Sequence, residues 1–493
     1  MSTTTAAPAP SVMLHLGLGS FHRAHQAFYQ QQLHDAGDTS WVLAGGNTRP
    51  DMVETMAALE RQGGAYTLET VSPAGERRYA RIESIKQIIP YEPGLANLIA
   101  VGAAPATRII SFTVTEAGYY LDAKNRLDVS FPDLAADLEA ARRGAPGGTI
   151  YAALTAILRA RMANAAGDVT LLCCDNLRHN GDRSRSGLLQ FIELIGDQPL
   201  LAWATAHTSS PNAMVDRIVP RPTPEVAERV RAATGWADGA PVMGESFIQW
   251  VIEDRFCNGR PAWERVGVEL VSSVAPYEEA KIRLLNATHS CIAWAGTLLG
   301  YQFIHESTHH AAIRQMAFDY VTNDVIPCLS TSPALPGEAA LPNGSAGSST
   351  PGHASPVDLV KYRDVVLDRF SNPAIRDSNQ RVAMDGYSKI PGFIVPTIRE
   401  RLGRDESIDS VAMLPALFLA FLQRWHRNQL AYEYQDQAMD PAAAHAICAA
   451  ADPVDALSRD TVLWGPLAGD PRLVSALRAA DVRVADFVRQ YGG

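Results

Sequence analysis

The chain of 493 residues lacks the features that mark several protein classes. Its six cysteines, Cys173, Cys174, Cys257, Cys291, Cys328 and Cys448, form no CxxC pair. That pattern excludes a disulfide-stapled scaffold and fits reduced thiols in a cytoplasm. No run of lysine and arginine is dense enough to track phosphates, and the net charge is −10, so nucleic acid is not an expected partner. The longest apolar run, VAMLPALFLAFL from Val411, holds about a dozen residues and contains Pro415, too short to span a bilayer. The first residues, MSTTTAAPAPSVM, lack the basic start and apolar stretch of a signal peptide, and no internal repeat is present. What is there is a globular composition, 47% hydrophobic and 19% charged, with length for two or three domains.

Short β-rich runs alternate with helical sequence in the first half. SVMLHLG, WVLAGG, TRIISFTVT and DVTLLCCDN are such runs, and RAHQAFYQQQLHDAG reads as a helix ending at Gly37. The alternation predicts an α/β fold, a mostly parallel sheet with helices on its faces. AYTLETVSPAGERRYARIESI is expected to form an inserted hairpin that turns near Pro73 to Gly75. From about Pro276 long helical patterns dominate: PYEEAKIRLLNATHSCIAWAGTLLGY, AAIRQMAFDYVTNDVI, DLVKYRDVVLDRF and the segment from Leu414 to Tyr434. The expected domains are therefore 1–275 and 276–493, the second largely α-helical. Residues 331–356, rich in Pro, Gly, Ala and Ser, read as a mobile surface insertion.

GLGSFHRAH, Gly17 to His25, stands where a phosphate-binding turn would, after the first strand and opening the first helix. Glycines there let the chain turn tightly and let amides approach a pyrophosphate, while the helix N-terminus adds favourable potential. His22 takes the third glycine place of GxGxxG, so the spacing alone equally allows a plain strand-to-helix turn. The ribose ligand is also open. In GGNTRPDM, Asp51 could accept from ribose hydroxyls, favouring NAD, whereas Arg49 could pair with a 2′-phosphate, favouring NADP.

KIRLLNATH, Lys281 to His289, places polar groups on a helix that otherwise suits a core. At about 100° per residue from Lys281, Glu278 lies at about 60°, His289 at about 80° and Asn286 at about 140°. One arc thus carries all four, and the bland reading is a half-exposed face with one ion pair. The chemical reading is a carbonyl/alcohol site. A lysine can serve as base if burial lowers its pKa, an asparagine amide can donate to an alkoxide, and a histidine can hold a neighbouring hydroxyl.

Lys281, Asn286 and His289 match the K-x4-N-x2-H signature of the polyol-specific long-chain dehydrogenases, the mannitol 2-dehydrogenase family, which the chain resembles over most of its length. GLGSFHRAHQA, SFTVTEAGYY, CDNLRHNG, MVDRIVP, FIQWVIEDRF and FSNPAIRDSNQRVAMDGYSKIPGF carry the resemblance in order. It implies a Rossmann-like N-terminal domain, a helical C-terminal domain, a cleft between them and no catalytic metal. It also implies that Lys281 is the base, that Asn176 and Asn286 form the oxyanion hole, that His289 binds substrate and that Glu278 gates the proton path. Asp216, Arg381 and Lys389 would contact polyol hydroxyls or shape the cleft. A dinucleotide, NAD with NADP as the alternative, would lie on Gly17, Gly19, Phe21, His22, Arg23, Asp51, Thr115 and Glu116. GGNTRPDM and AYTLETVSPAGERRY look most like the D-arabinitol 4-dehydrogenase branch; mannitol 2-dehydrogenase chemistry and a related hexuronate reductase are the alternatives. The expected partner is a small polyol or ketose, with no membrane and a monomeric or weakly oligomeric state.

HESTH, His305 to His309, formally matches the HExxH zinc-protease pattern. Three fixed positions recur often by chance, no glycine-rich continuation follows, and Ser307 and Thr308 are mediocre helix formers, so a zinc hydrolase is the disfavoured reading. A silent nucleotide or sugar sensor would be expected to lose the base that Lys281 retains. Cys173 and Cys174 read as packed thiols, and Trp250 and Trp263 as core.

Overall fold

The computed structural model describes residues 9–122, 125–331 and 355–492, so residues 332–354 of the expected insertion lie outside the described residues. The chain splits into two compact units, Met1–Ser72 with Glu76–Ala275, and Pro73–Gly75 with Pro276–Gly493.

The first unit is built on a six-stranded sheet. In chain order its strands are β1 (Ser11–Leu16), β2 (Trp41–Gly46), β3 (Ile85–Ile89), β4 (Thr107–Phe112), β5 (Val169–Cys173) and β6 (Thr208–Ser209). They lie in the order β3-β2-β1-β4-β5-β6, and every neighbouring pair is parallel. This is the doubly wound, Rossmann-like order, whose direction of winding switches between β1 and β4. The four expected strands are present. The helix expected after β1 is broken into Ser20–Ala24 and Gln26–Asp35. Tyr66–Val71 pairs antiparallel with Arg77–Ile82, as the hairpin reading requires, and also pairs in parallel with Val242–Glu245, forming a second sheet.

Both faces of the main sheet are covered. β5 sends Val169, Leu171 and Cys173 into one hydrophobic core and Leu172 into the other, which Cys174, just past its end, also joins. The thiols are packed there as expected, and Trp250 and Trp263, fully buried, meet with ring centroids 4.7 Å apart. A polar clamp closes the other end of the sheet. The buried Arg161 guanidinium donates to the carbonyls of Gly102, Ala104 and Thr107, at the start of β4, and of Ala166, Gly167 and Asp168, just before β5. One side chain thus donates to six carbonyls, of which those of Ala104 and Asp168 also accept from the Thr107 amide and Asn258 Nδ2.

The second unit is helical. Its first expected helix is present as Ala275–Ala280, Lys281–Asn286 and Ala287–Leu298, of which the middle six residues are π-helical. The second likewise runs Ala311–Tyr320, a π-helical Val321–Val325, then Ile326–Thr331. A third π-helical turn, Ile390–Ile394, follows Lys389, and the first of these turns packs against the other two. The helix expected from Leu414 to Tyr434 is corrected: it spans Met413–His426 and stops there. Asn428 takes a left-handed conformation with φ 54°, and the Gln429 amide closes the end on the Arg424 carbonyl. That is an asparagine C-terminal cap, which the hydrophobic pattern does not reveal. Pro415 sits in the first turn, where a missing amide costs little. Among the described residues no helix is long and apolar enough to cross a membrane.

Replacing Arg161 by methionine keeps much of the packing and removes the guanidinium donors to those carbonyls. The variant is expected to lose about 3–5 kcal/mol of stability, seen as a lowered unfolding midpoint in calorimetry; an unchanged midpoint would show that water satisfies the carbonyls instead.

Candidate active site

The glycine turn lies at the end of β1, at the switch point. Gly17 has φ +97°, and a Cβ there would stand 2.3 Å from the Thr113 carbonyl oxygen beyond β4, so only glycine fits. The Leu18 amide is held by Asn47 Oδ1 at 2.8 Å, and Gly19 precedes the helix Ser20–Ala24. The amides of Ser20, Phe21 and His22 have no acceptor among the described residues. Three open amides at the carboxyl end of a parallel sheet suit a pyrophosphate, so the residues present fit a dinucleotide.

The side chains of this turn point to several tasks. His22 is buried and stacked on His15, ring centroids 3.5 Å apart, and burial lowers both imidazoles, His15 to about 3. Phe21 stacks on His25. The Arg23 guanidinium is buried, donates to the Ala240 carbonyl and lies over the Tyr66 ring, so its partners are within the protein. Asp51 is exposed beyond β2, and Asn47 Nδ2 donates to its carbonyl. Arg49 is drawn to Asp133 and Tyr120.

Beyond β4, Thr115 is exposed with φ 68°, and Glu116 opens the short turn Glu116–Tyr119. Asp175, next to Asn176 in CDN, accepts from the amides of Val114 (2.8 Å) and Thr115 (3.1 Å) and from the Tyr119 hydroxyl (2.5 Å). Burial raises its carboxyl above the ordinary value despite these donors. Asn176 is exposed. Asn180 donates to the carbonyls of Cys173, Asp175 and Ala213 and accepts from the Ala213 amide, tying the CDN turn to Ala213–Asp216, whose last residue, Asp216, is buried. Asp175 and Asn180 both lie in the CDNLRHNG motif, of which the resemblance singles out Asn176 alone.

In the second unit, Lys281 and Asn286 are the two ends of one π-helical turn, Glu278 lies one turn before and His289 one turn after. An i→i+5 turn rotates each residue less than an α-helix does, so the angles reckoned at 100° per residue are corrected here. Lys281 is 8% exposed and Glu278 5%, so the half-exposed face is corrected too. The turn is held from outside: the Tyr320 hydroxyl donates to the Arg283 carbonyl at 2.9 Å, and Arg283 pairs with Glu279 and Glu400.

His289 stacks on Phe370 with centroids 4.3 Å apart, and its Nε2 lies 3.3 Å from Asp377 Oδ2. Burial lowers this imidazole below its ordinary value, opposed by the Asp377 carboxylate. Burial works to raise the Asp377 carboxyl, yet His289 and Arg381 hold it well below the usual carboxylate range. Arg381 forks onto Asp377 with both Nε and Nη2. The structure therefore brings His289 and Arg381 together through Asp377, a residue the sequence reading missed although it stands four before Arg381. Lys389 donates to the Val382 carbonyl at 2.7 Å, and burial pushes its ammonium down to about 8.

HESTH forms the helix Ile304–His309, where Glu306 Oε2 accepts from the amides of Gln302 (3.0 Å) and Phe303 (2.9 Å). The carboxylate is a helix cap. Among the described residues no group of three or more His, Cys, Asp or Glu gathers to hold a metal.

The sequence matches the mannitol dehydrogenase Rossmann domain over residues 11–265, and the mannitol dehydrogenase C-terminal domain over 273–338 and 349–484. The chain belongs to the mannitol dehydrogenase family. Among its members, a D-arabinitol 4-dehydrogenase of Ralstonia nicotianae is 56% identical over 98% of both chains. One from Klebsiella pneumoniae is 51% identical over 94% of this chain and 96% of its own. The structure of Pseudomonas fluorescens mannitol 2-dehydrogenase, a ternary complex with NAD and D-mannitol, is 32% identical with a TM-score of 0.78, covering 98% of this chain and 94% of that one.

Two outcomes follow for this family member. Gly17→Ala is expected to weaken dinucleotide binding by at least about tenfold and to destabilise the unit by about 2 kcal/mol or more; calorimetric titration with NAD checks it, and unchanged affinity would show that the turn relaxes. For Lys389, the unfolded chain keeps its proton up to about 10.5 and the folded chain only to about 8. Its contribution to stability is therefore fully present above about 10.5 and lost as the pH falls through about 8. The stability difference between the natural chain and Lys389→Met should rise across that window in denaturant titrations, and a flat difference would place the titration elsewhere.

Proposed function

We propose that this protein is an NAD-dependent polyol dehydrogenase that interconverts D-arabinitol and D-xylulose in the cytoplasm. The observation that carries the substrate is the 56% identity, over 98% of both chains, to a D-arabinitol 4-dehydrogenase. Free cysteines, Cys173, Cys174, Cys257, Cys291, Cys328 and Cys448, support a reducing compartment.

The residues take the following roles. Bound NAD supplies the hydride acceptor for the carbinol carbon C4. Lys281, buried on its π-helical turn, takes the hydroxyl proton. Asn176 and Asn286 donate to the alkoxide as its charge develops. His289, whose imidazole burial lowers below its ordinary value and which stands beside Asp377, offers a ring nitrogen to a substrate hydroxyl. Arg381 and Lys389 add donors for the remaining hydroxyls, Asp216 adds an acceptor, and Glu278 passes the proton away from Lys281. Gly17, Gly19, Phe21, His22, Arg23, Asp51, Thr115 and Glu116 form the cofactor turn and its surroundings, His22 and Arg23 from beneath.

Lys281→Ala is expected to lower the rate of D-arabinitol oxidation near neutral pH by about a thousandfold or more while leaving NAD affinity within about threefold of the natural chain's. Near-normal turnover would remove the lysine from the mechanism. The substrate is checked by following NADH formation with D-arabinitol, D-mannitol, D-sorbitol and xylitol. D-arabinitol should give the highest kcat/KM, and no reduction with any of the four would overturn the assignment.

A further inference from the structure

Arg49 is the one residue of GGNTRPDM that favours a 2′-phosphate, and its surroundings are specific. Its Nη2 donates to the Tyr120 hydroxyl at 2.7 Å and to Asp133 Oδ2 at 2.9 Å, and its Nε donates to the Gly148 carbonyl at 3.3 Å. The Tyr120 hydroxyl donates to the same Asp133 oxygen, so arginine, phenol and carboxylate close a triangle. The arginine stem is seated as well: a Cβ on Gly148 would stand 3.4 Å from Arg49 Cγ, and Thr48 Oγ1 donates to the Gly148 carbonyl at 2.9 Å. Asp133 belongs to the helix Pro132–Arg142, separate from the strand that delivers Arg49.

Recognition of a 2′-phosphate by arginine uses the fork of the guanidinium, two parallel donors aimed at one anion. Here Nε and Nη2 are already engaged, and Asp133 neutralises the charge. An incoming phosphate dianion would also meet the Asp133 carboxylate. NAD carries hydroxyls at that position and needs no arginine.

We infer that Asp133, through Arg49, is a specificity-determining residue: it holds the arginine off the adenine ribose and so selects NAD over NADP. Asp133 is a positioning residue that need not touch the cofactor. The inference rests on the dehydrogenase reading, which puts the adenine ribose at the end of β2.

The test is calorimetric titration of the whole protein with NAD, NADP and 2′,5′-ADP, for the natural chain, Asp133→Ala, Asp133→Asn and the double variant Asp133→Ala with Arg49→Ala. In both single variants NADP and 2′,5′-ADP should tighten by about tenfold or more, the scale of one charge-assisted hydrogen bond gained, while NAD stays within about threefold. The double variant should lose the gain. NADP affinity unchanged in both single variants, or a gain that survives removal of Arg49, would overturn the inference while leaving the dehydrogenase intact. A natural chain that binds neither dinucleotide would overturn the reading on which it rests.

Discussion

What the first unit offers a ligand depends on how closely the chain leaving β1 passes the chain leaving β4. A side chain at position 17 would overlap the Thr113 carbonyl, so the turn is glycine with a positive φ. Turning there leaves the next amides open above the sheet end. It also leaves a space beneath, filled by the stacked rings of His15 and His22. Two imidazolium ions at a centroid spacing of 3.5 Å would repel, and burial keeps both rings neutral, His15 down to about 3. The histidine at the third glycine place of the motif is thereby explained: its side chain goes down into the protein, and the position needs no glycine.

The parallel strands were legible because most are buried on both faces and read as continuous apolar runs. β3 was not. It is an edge strand, IKQII, with Lys86 and Gln87 exposed, and an edge has one neighbour to satisfy. In the second unit the helices could be read from their period, but the π-helical turns could not. Lys281–Asn286 consists of residues that any α-helix accepts, and the wider turn is set by what grips it, the Tyr320 hydroxyl on the Arg283 carbonyl and Glu400 on the Arg283 side chain. Those partners come from elsewhere in the chain, and no local period records them.

The same division runs through the site. Lys281, Asn286 and His289 could be singled out because they are near in sequence, and Arg381 lies within one helical turn of Asp377. The partnership between His289 and Asp377 spans two separate elements, as does that between Arg49 and Asp133. Each changes the chemistry of the residue that was legible. A histidine beside a carboxylate has a fixed orientation, and an arginine beside one has lost its free fork. Residue type names a capacity, and the partner decides whether that capacity is available.

HESTH shows the same rule from the opposite side. The pattern supplies two imidazoles and a carboxylate at metal-protease spacing, yet Glu306 turns back to accept the amides of Gln302 and Phe303, and His305 stacks on Phe303. Those amides are orphan donors of a helix start, which a carboxylate three positions on is well placed to satisfy. Once it does so, it cannot act as a base on a metal-bound water without uncapping the helix. Lys281, proposed above as the base, has a different setting. It is buried in a π-helical turn that Tyr320 and Glu400 brace from outside through Arg283. A cap role accounts for Glu306 and leaves it no part in metal chemistry, so spacing that fits a metalloprotease on paper is spent on starting a helix.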